Sequence, residues 1–343
     1  MGVAVGGDMS LAIALDSADF AGYLPTDTLG SFHLLDRLAT GGMATIYKAE
    51  DARTGELVAL KTVRNGRARE VACLEREIAI LKSLRHRGVV QFRGAGSWND
   101  TPWLAMELLE GHTLFEEISL FGWRPTRPVP ALSLEGGEVR DGWIHRLQDE
   151  TELAWPVRPA AGGRLRDAVS MIVRLARVLA YLHEQGIVHR DLKPENIFVG
   201  GDGRMTLLDF GLASRIRGAA PRDGRPTSVA TTVEYAAPEL LCGERVDERV
   251  DVYALGCVFY EVVTGVRPFE ADSLDEIVRM QLDEAPTCPS DLVTGVSWRL
   301  EELILDMLAK RPKHRPRNGD EVAARLSQAF YDDAADGSRR AAA

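Results

Sequence analysis

Val188-His189-Arg190-Asp191-Leu192-Lys193-Pro194-Glu195-Asn196 is the stretch on which the reading of this chain turns. It sets His, Arg, Asp, Lys and Asn at short fixed spacings behind an apolar run, a combination unusual by chance. Other short segments fall in order around it. Val58-Ala59-Leu60-Lys61 lies upstream, and Asp209-Phe210-Gly211 and Ala237-Pro238-Glu239 lie downstream. Taken singly, none means much. A lone Lys or Glu is ordinarily a solvated surface charge, and an Asp before Phe-Gly is ordinarily a turn residue. Their joint order carries the reading.

Working outward, Phe32 to Leu35, Ile46 to Ala49 and Leu57 to Lys61 read as strands, with Gly55 turning the last two into a hairpin. Residues 68–85 switch to the helical period, with Leu74, Ile78, Leu81 and Leu84 on one face. Val89 to Phe92 and Trp103 to Met106 read as two more strands. A small antiparallel sheet with one helix is the natural assembly. From about residue 165 the pattern is mostly helical. An apolar stripe runs through Ile172, Leu175, Leu179 and Leu182, and residues 251–264 form a nearly all-apolar, buried helix. Further helices are predicted over 274–282, 298–309 and 319–330. No repeat is visible.

The chain has 343 residues, 45% of them hydrophobic and 27% charged, which suits a globular protein and excludes disorder throughout. A net charge of −10 argues against a general nucleic-acid or anionic-membrane binder, so no nucleic-acid partner is expected. No apolar stretch reaches membrane-spanning length. Cys73, Cys242, Cys257 and Cys288 are scattered without a close pair. They read as buried thiols in a reducing cytoplasm, neither zinc ligands nor a disulfide framework.

The four motifs together resemble a protein kinase, of the eukaryotic-like (Hanks-type) serine/threonine class and bacterial in the wording of its glycine-rich segment. The resemblance covers about residues 30–330. It implies an α+β, two-lobed fold: a small antiparallel sheet with one main helix in the N-lobe, and a larger, mainly helical C-lobe. The N-lobe would span about 30–106, the hinge 107–111 and the C-lobe 112–330. Residues 1–29 would be a low-order leader and 331–343 a loose tail.

The resemblance also implies ATP and Mg²⁺ as cofactors. Asn196 and Asp209 would supply the oxygen ligands that a hard cation prefers. Asp191 would orient the acceptor hydroxyl and take its proton, with Lys193 beside the transferred phosphate. Lys61 would hold the α- and β-phosphates, fixed by a carboxylate on the following helix. Glu77 matches that position; Glu75 is its rival two residues away, and the neighbours Ile78 and Leu81 favour Glu77. Met106 would guard the back of the nucleotide pocket. The backbone of Glu107 and Leu109 would meet the adenine edge, between apolar walls from Ile46, Ala59 and Phe198. Asp251 would support the catalytic loop, Glu239 and Arg315 would pair, and Leu81, His189 and Phe210 would stack between the lobes.

The glycine-rich loop departs from the family pattern. In Ala39-Thr40-Gly41-Gly42-Met43-Ala44-Thr45-Ile46, alanine stands at 39 and 44 where the pattern has glycine. Alanine held at positive φ costs roughly 1–2 kcal/mol, about tenfold in binding. Nucleotide binding weakened without being abolished is therefore the expectation, since alanine is small enough to let backbone N–H groups approach phosphate, and a pseudokinase scaffold is the alternative to an active enzyme. A small-molecule kinase fits less well, because such enzymes usually lack an Ala-Pro-Glu segment.

Lys193 and Thr232 resemble the serine/threonine rather than the tyrosine enzymes, which implies protein substrates with Ser/Thr acceptors. Gly218 to Thr231 would be the activation loop, with Thr227, Ser228 and Thr231 as autophosphorylation candidates and Arg190 placed to pair with such a phosphate. Residues 119–163 form an insertion holding Trp123, Trp143 and Trp155, three of the six tryptophans. It reads as a surface insertion packing its own aromatics, or as a docking surface for a partner.

Overall fold

The computed structural model describes residues 28–41, 44–64, 66–120, 164–216 and 232–329. The first lobe is a six-stranded antiparallel sheet in the order β1-β2-β3-β4-β6-β5. Its strands are β1 (Thr28–Leu29), β2 (Phe32–Thr40), β3 (Ala44–Asp51), β4 (Leu57–Val63), β5 (Phe92–Trp98) and β6 (Thr101–Glu107). One helix, α1 (Ala68–Leu81), packs on it. Gly55 turns β3 into β4 at φ 71°, a left-handed conformation that glycine reaches without a Cβ penalty.

Alternation along β4 sorts its two faces. Val58 and Leu60 join Leu29, Phe32, Leu34, Ala49 and Ala105 in a small outer core. Ala59 and Val63 face the main core between the lobes, together with Leu104 and Met106 of β6. The register pairs Ile46 with Lys61, Lys61 with Leu104, and Ala59 with Met106. Ile46, Ala59, Lys61 and Met106 therefore share the face turned to the cleft.

The second lobe is mainly helical. Its longer helices are α3 (Arg164–Glu184), α5 (Arg249–Thr264), α6 (Leu274–Asp283), α8 (Trp298–Met307) and α9 (319–329). The short helices are α2 (Leu114–Leu120), α4 (Pro238–Leu241) and α7 (Pro289–Leu292). Apolar residues around the whole circumference bury α5 along nearly its full length, and Gly265 ends it at φ 76°. Small ladders flank the 189–196 segment and Asp209: β7 (Gly111–Thr113), β9 (Ile197–Gly200) and β10 (Met205–Leu207) form one, β8 (Ile187–Val188) and β11 (Ser214–Arg215) the other. This is the expected two-lobed α+β architecture.

Several expectations need correcting. The strand expected over 89–92 lies at Phe92–Trp98; Val89 makes only an isolated bridge to Leu207. Gly94, Gly96 and Ser97 give that segment a weak strand signal, yet a Cβ on Gly96 would meet the Trp103 ring at 2.6 Å. Pairing with β6, not local propensity, makes it a strand. Thr28 and Leu29, assigned to the leader, pair with His33 and Phe32. The first helix stops at Leu81, although Leu84 stays buried.

Neither Ala39 nor Ala44 sits at positive φ. Both are in extended ladders, Ala39 opposite Ile46 and Ala44 opposite Val63, so the strain expected of alanine there does not arise. The cysteines are all free, but only Cys257 is buried; Cys242 is exposed and Cys73 and Cys288 are half-buried. Gly42, the leader to residue 27, the insertion from 121 to 163, the candidates Thr227, Ser228 and Thr231, and the tail lie outside the described residues.

Candidate active site

Lys61 comes from the cleft face of β4, and its ammonium meets two carboxylates. Nζ lies 2.8 Å from Glu77 Oε2 and 3.0 Å from Asp209 Oδ1. On α1, Leu74, Glu77 and Leu81 fall on the buried face, whereas Glu75 is exposed. The 3.6-residue period therefore turns Glu77, and not its rival, toward Lys61. Burial pulls the Lys61 ammonium down, but Glu77 and Asp209 more than reverse this and hold it charged well above its ordinary range. Burial raises the Glu77 carboxyl against the opposing pull of Lys61. Burial also acts to raise Asp209, but Lys61 and the Gly211 N–H win and hold it below the usual carboxylate range.

Asp209 has φ 53°, a left-handed conformation uncommon for a residue other than glycine. Oδ1 accepts from Lys61 and from Gly211 N–H at 3.2 Å, and the side chain is still 46% exposed. Arg76 of α1 donates to Gly211 O at 3.1 Å and ties this segment to the helix that carries Glu77. That tie was not legible in the sequence.

The loop residues Asp191, Lys193 and Asn196 converge from one short segment. Asn196 Nδ2 donates to Asp191 O at 2.8 Å and to Asp191 Oδ2 at 3.0 Å. Lys193 Nζ stands 3.4 Å from Asp191 Oδ2 and donates to Thr232 Oγ1 at 2.6 Å. The loop backbone is unusual: Arg190 has φ 68°. A non-glycine residue held there costs of order 1–3 kcal/mol. Asp251, fully buried on α5, compensates by accepting the N–H groups of His189 and Arg190, each at 2.8 Å. His183 Nε2 adds a third contact at 3.1 Å. Burial alone would raise Asp251, but His183 and the loop hold its carboxyl below the usual range. Sequence reasoning missed His183; its signal was a histidine ending the apolar stripe of α3.

His189 accepts the Asp191 N–H on Nδ1 at 3.4 Å, so its proton sits on Nε2, which donates to Leu208 O at 2.9 Å. Its ring meets Phe210 edge-on at 4.9 Å, and Leu81 is buried in the same core. Glu239 and Arg315 form a buried bidentate pair at 2.7 and 2.9 Å. Arg190 shows a buried Nε with no hydrogen-bond partner among the described residues. Burial lowers its guanidinium from the ordinary value, partly offset by Asp251 and reinforced by Arg76.

The cleft wall carries half-buried apolar groups, Ile46, Leu109 and Leu208, against the main core beside Ala59 and Met106. Phe198 pairs with Thr113 across β9 and β7. Gly111 is obligatory beside it, because at φ 146° a Cβ would strike Val199 O at 2.1 Å. Glu107 gives its backbone N–H to Gln91 O at 2.9 Å. Its carboxylate accepts from Gln91 N–H at 2.9 Å and from Arg204 at 2.6 Å, a link to the β9–β10 turn that the sequence did not announce.

The donor set suits Mg²⁺. Asn196 commits its nitrogen to Asp191, which leaves the amide oxygen for a cation, and Asp209 Oδ2 has no hydrogen-bond partner among the described residues. Mg²⁺ takes one or two such oxygens and completes its shell from phosphates and water. No three or more His, Cys, Asp or Glu side chains cluster as a metal site among the described residues. No described helix is long and apolar enough to cross a membrane.

A family model described as the protein kinase domain matches residues 32–134 and 146–327. Serine/threonine-protein kinase PknB of Mycobacterium tuberculosis is 31% identical over 303 residues, 86% of this chain and 43% of the relative. PknJ of Mycobacterium bovis is 30% identical over 327 residues, 93% of this chain and 47% of the relative. The chain thus spans under half the length of these curated relatives. The family model covers most of the chain, and within it Lys61 meets Glu77 and the Asp209 of Asp-Phe-Gly, so this chain belongs to the protein kinase domain family, among bacterial serine/threonine-kinase relatives.

Proposed function

We propose that the chain transfers the γ-phosphoryl group of ATP, with Mg²⁺, to Ser/Thr hydroxyls of proteins, and labels itself within 218–231. The observation that carries this reading is the contact chain Asn196–Asp191–Lys193–Thr232, joined to the Lys61–Glu77–Asp209 cluster by the N–H of Leu208, the neighbour of Asp209, which donates to Asn196 O at 2.9 Å. Phosphoryl transfer runs through a loose, charge-rich transition state, so positioning and electrostatics do most of the work. Bound Mg²⁺ would neutralise phosphate charge, held by Asn196 and Asp209. Lys61 offers a compact positive charge to the phosphates, oriented by Glu77. Asp191 orients the acceptor hydroxyl and takes its proton, while Lys193 balances charge beside it. The apolar wall of Ile46, Ala59, Met106 and Phe198 takes the base, with Leu109 and the Glu107 carbonyl at its edge. A bacterial cytoplasm, which holds ATP and keeps thiols reduced, is the proposed compartment. Arg190 is proposed as the cation for an activation-loop phosphate, and residues 119–163 as a docking surface.

The test is transfer from labelled ATP with Mg²⁺ to the chain itself and to a basic protein, comparing wild type with Asp191→Ala and Lys61→Met. Label on Ser/Thr, lost in both variants, supports the reading. A wild type that binds ATP by melting shift but transfers nothing would leave a scaffold instead.

A further inference from the structure

The acceptor side of the cleft is held by a side chain far from the motifs. Val233–Tyr235 form a 3₁₀ turn directly after Thr232, the residue that touches Lys193. A small space beside the turn is lined by Arg190, Asp191, Thr232, Tyr235, Ala236 and Leu240. Segment 232–236 therefore borders the catalytic loop. Gln281 of α6, fully buried, reaches it from below: Nε2 donates to Glu234 O at 2.6 Å and to Val233 O at 3.2 Å.

The amide has only one workable orientation. Its oxygen accepts from the Tyr253 hydroxyl. Rotated by half a turn, it would set an oxygen against two carbonyls. Lys310 locks the other side of the network. Its ammonium donates to Met280 O and Gln281 O, each at 2.8 Å, lies 3.4 Å from the Tyr253 hydroxyl, and sits 3.9 Å over the Phe269 ring. At the far end of the turn, Tyr235 donates to Glu261 Oε2 at 2.6 Å. Val233 O also receives the Ala236 N–H at 3.2 Å, so Gln281 holds a carbonyl that the turn itself uses.

We propose that Gln281 is a positioning residue for the protein acceptor. By fixing the carbonyls of Val233 and Glu234 it sets the surface on which an acceptor segment lies beside Asp191, and it has no part in holding ATP. The proposal rests on the phosphotransfer reading above. The amide bonds main chain 47 and 48 residues away, directly after the Thr232 that Lys193 touches, so its bonds bear on the segment beside the catalytic loop.

The test uses the full chain with Gln281→Leu and Gln281→Glu. The first removes both bonds, and the second keeps the acceptor for Tyr253 but opposes the two carbonyls. Transfer to a histone preparation is measured while ATP and acceptor are varied separately. Amide exchange of 233–237 is followed alongside. Loss of two buried hydrogen bonds should raise the acceptor KM roughly tenfold in either variant. The ATP KM and the ATP-induced melting shift should stay at wild-type values, and the Tyr235 and Ala236 amides should exchange faster. Equal rises in both KM values, or wild-type acceptor kinetics, would overturn the proposal. Should Gln281→Leu not fold, Gln281→Glu decides alone. A wild type that transfers to no acceptor removes the phosphotransfer reading and this proposal with it, an outcome told apart because it precedes any variant.

Discussion

Lys61 Nζ meets Glu77 Oε2 at 2.8 Å in a site where the Glu77 side chain is only 1% exposed, so the Glu77 charge is tolerated because Lys61 is there, while Lys61 is held by Glu77 and the half-exposed Asp209 together. Removing one partner from a buried pair costs about 3–5 kcal/mol, whereas replacing both with apolar groups is often neutral. Lys61→Met should therefore lower stability sharply, and Lys61→Met/Glu77→Leu should restore most of it. Neither variant should transfer phosphate, because both lack the ammonium. Denaturant unfolding and labelled ATP report the two effects separately. The unpaired Glu77 of the single variant has its pKa raised further, so its native state holds a proton that the unfolded chain releases near its ordinary pKa of about 4.3. The stability gap between the single and double variants should widen as pH rises above that value. Equal stability of the two variants across pH would contradict this account.

Asp191 is held by Asn196 and Lys193 and does not belong to the Lys61 cluster. Asp191→Asn should cut transfer by roughly 100- to 10,000-fold, the usual span for a lost general base. The ATP-induced melting shift should persist. A variant that loses ATP binding as steeply as transfer would place Asp191 in nucleotide binding instead.

Asp251 accepts two backbone N–H groups of a loop whose Arg190 has φ 68°. Asparagine offers one acceptor oxygen and turns an amide toward the remaining donor. Asp251→Asn should cost roughly 1–3 kcal/mol in denaturant unfolding. It should also lower kcat with little change in the ATP KM, because the loop that carries Asp191 relaxes. Unchanged stability and kcat would show that the loop holds its own shape.

Burial pulls Lys310 down to about 8, opposed by Cys257. Between about pH 8 and the ordinary lysine value near 10.4, the native ammonium has lost its proton while the unfolded chain keeps it. The unfolded state then binds more protons, so this group adds stability as pH rises through that window. Burial pushes the Cys257 thiol and the Tyr253 phenol well above their ordinary values, while the unfolded chain titrates them in this range, so the informative quantity is the difference between wild type and Lys310→Met. Relative to the variant, wild type should gain stability from pH 8 to 10. A flat difference would mean that Lys310 keeps an ordinary pKa.

Much of this was legible because local periodicity encodes faces. The run Leu57 to Lys61 read as a strand, and the apolar neighbours Ile78 and Leu81 favoured Glu77 over Glu75 for the core side of the helix. The failures are just as physical. β5 is rich in Gly and Ser, and only Trp103 across the ladder explains why small residues belong there. Ala39 was expected to be strained because the family pattern has glycine there, yet the strand continues through it in extended form. Gln281 carried a weak sign, a polar residue one helical turn from buried Ile277, but nothing local named its partner.

The sequence by itself determined which groups are available and the element each belongs to: Lys61 on a strand, Glu77 on the inner face of a helix, Asp191, Lys193 and Asn196 within one short loop. Such placement is set by backbone periods of about 2 and 3.6 residues, which a sequence displays directly. The tertiary structure alone decided which of these groups meet. Lys61 and Asp209 touch across 148 residues of chain, and Gln281 reaches Glu234 across 47. Contacts of that separation follow from how buried helices such as α5 pack and where they carry their loops, information spread over the whole core and absent from any one stretch of residues.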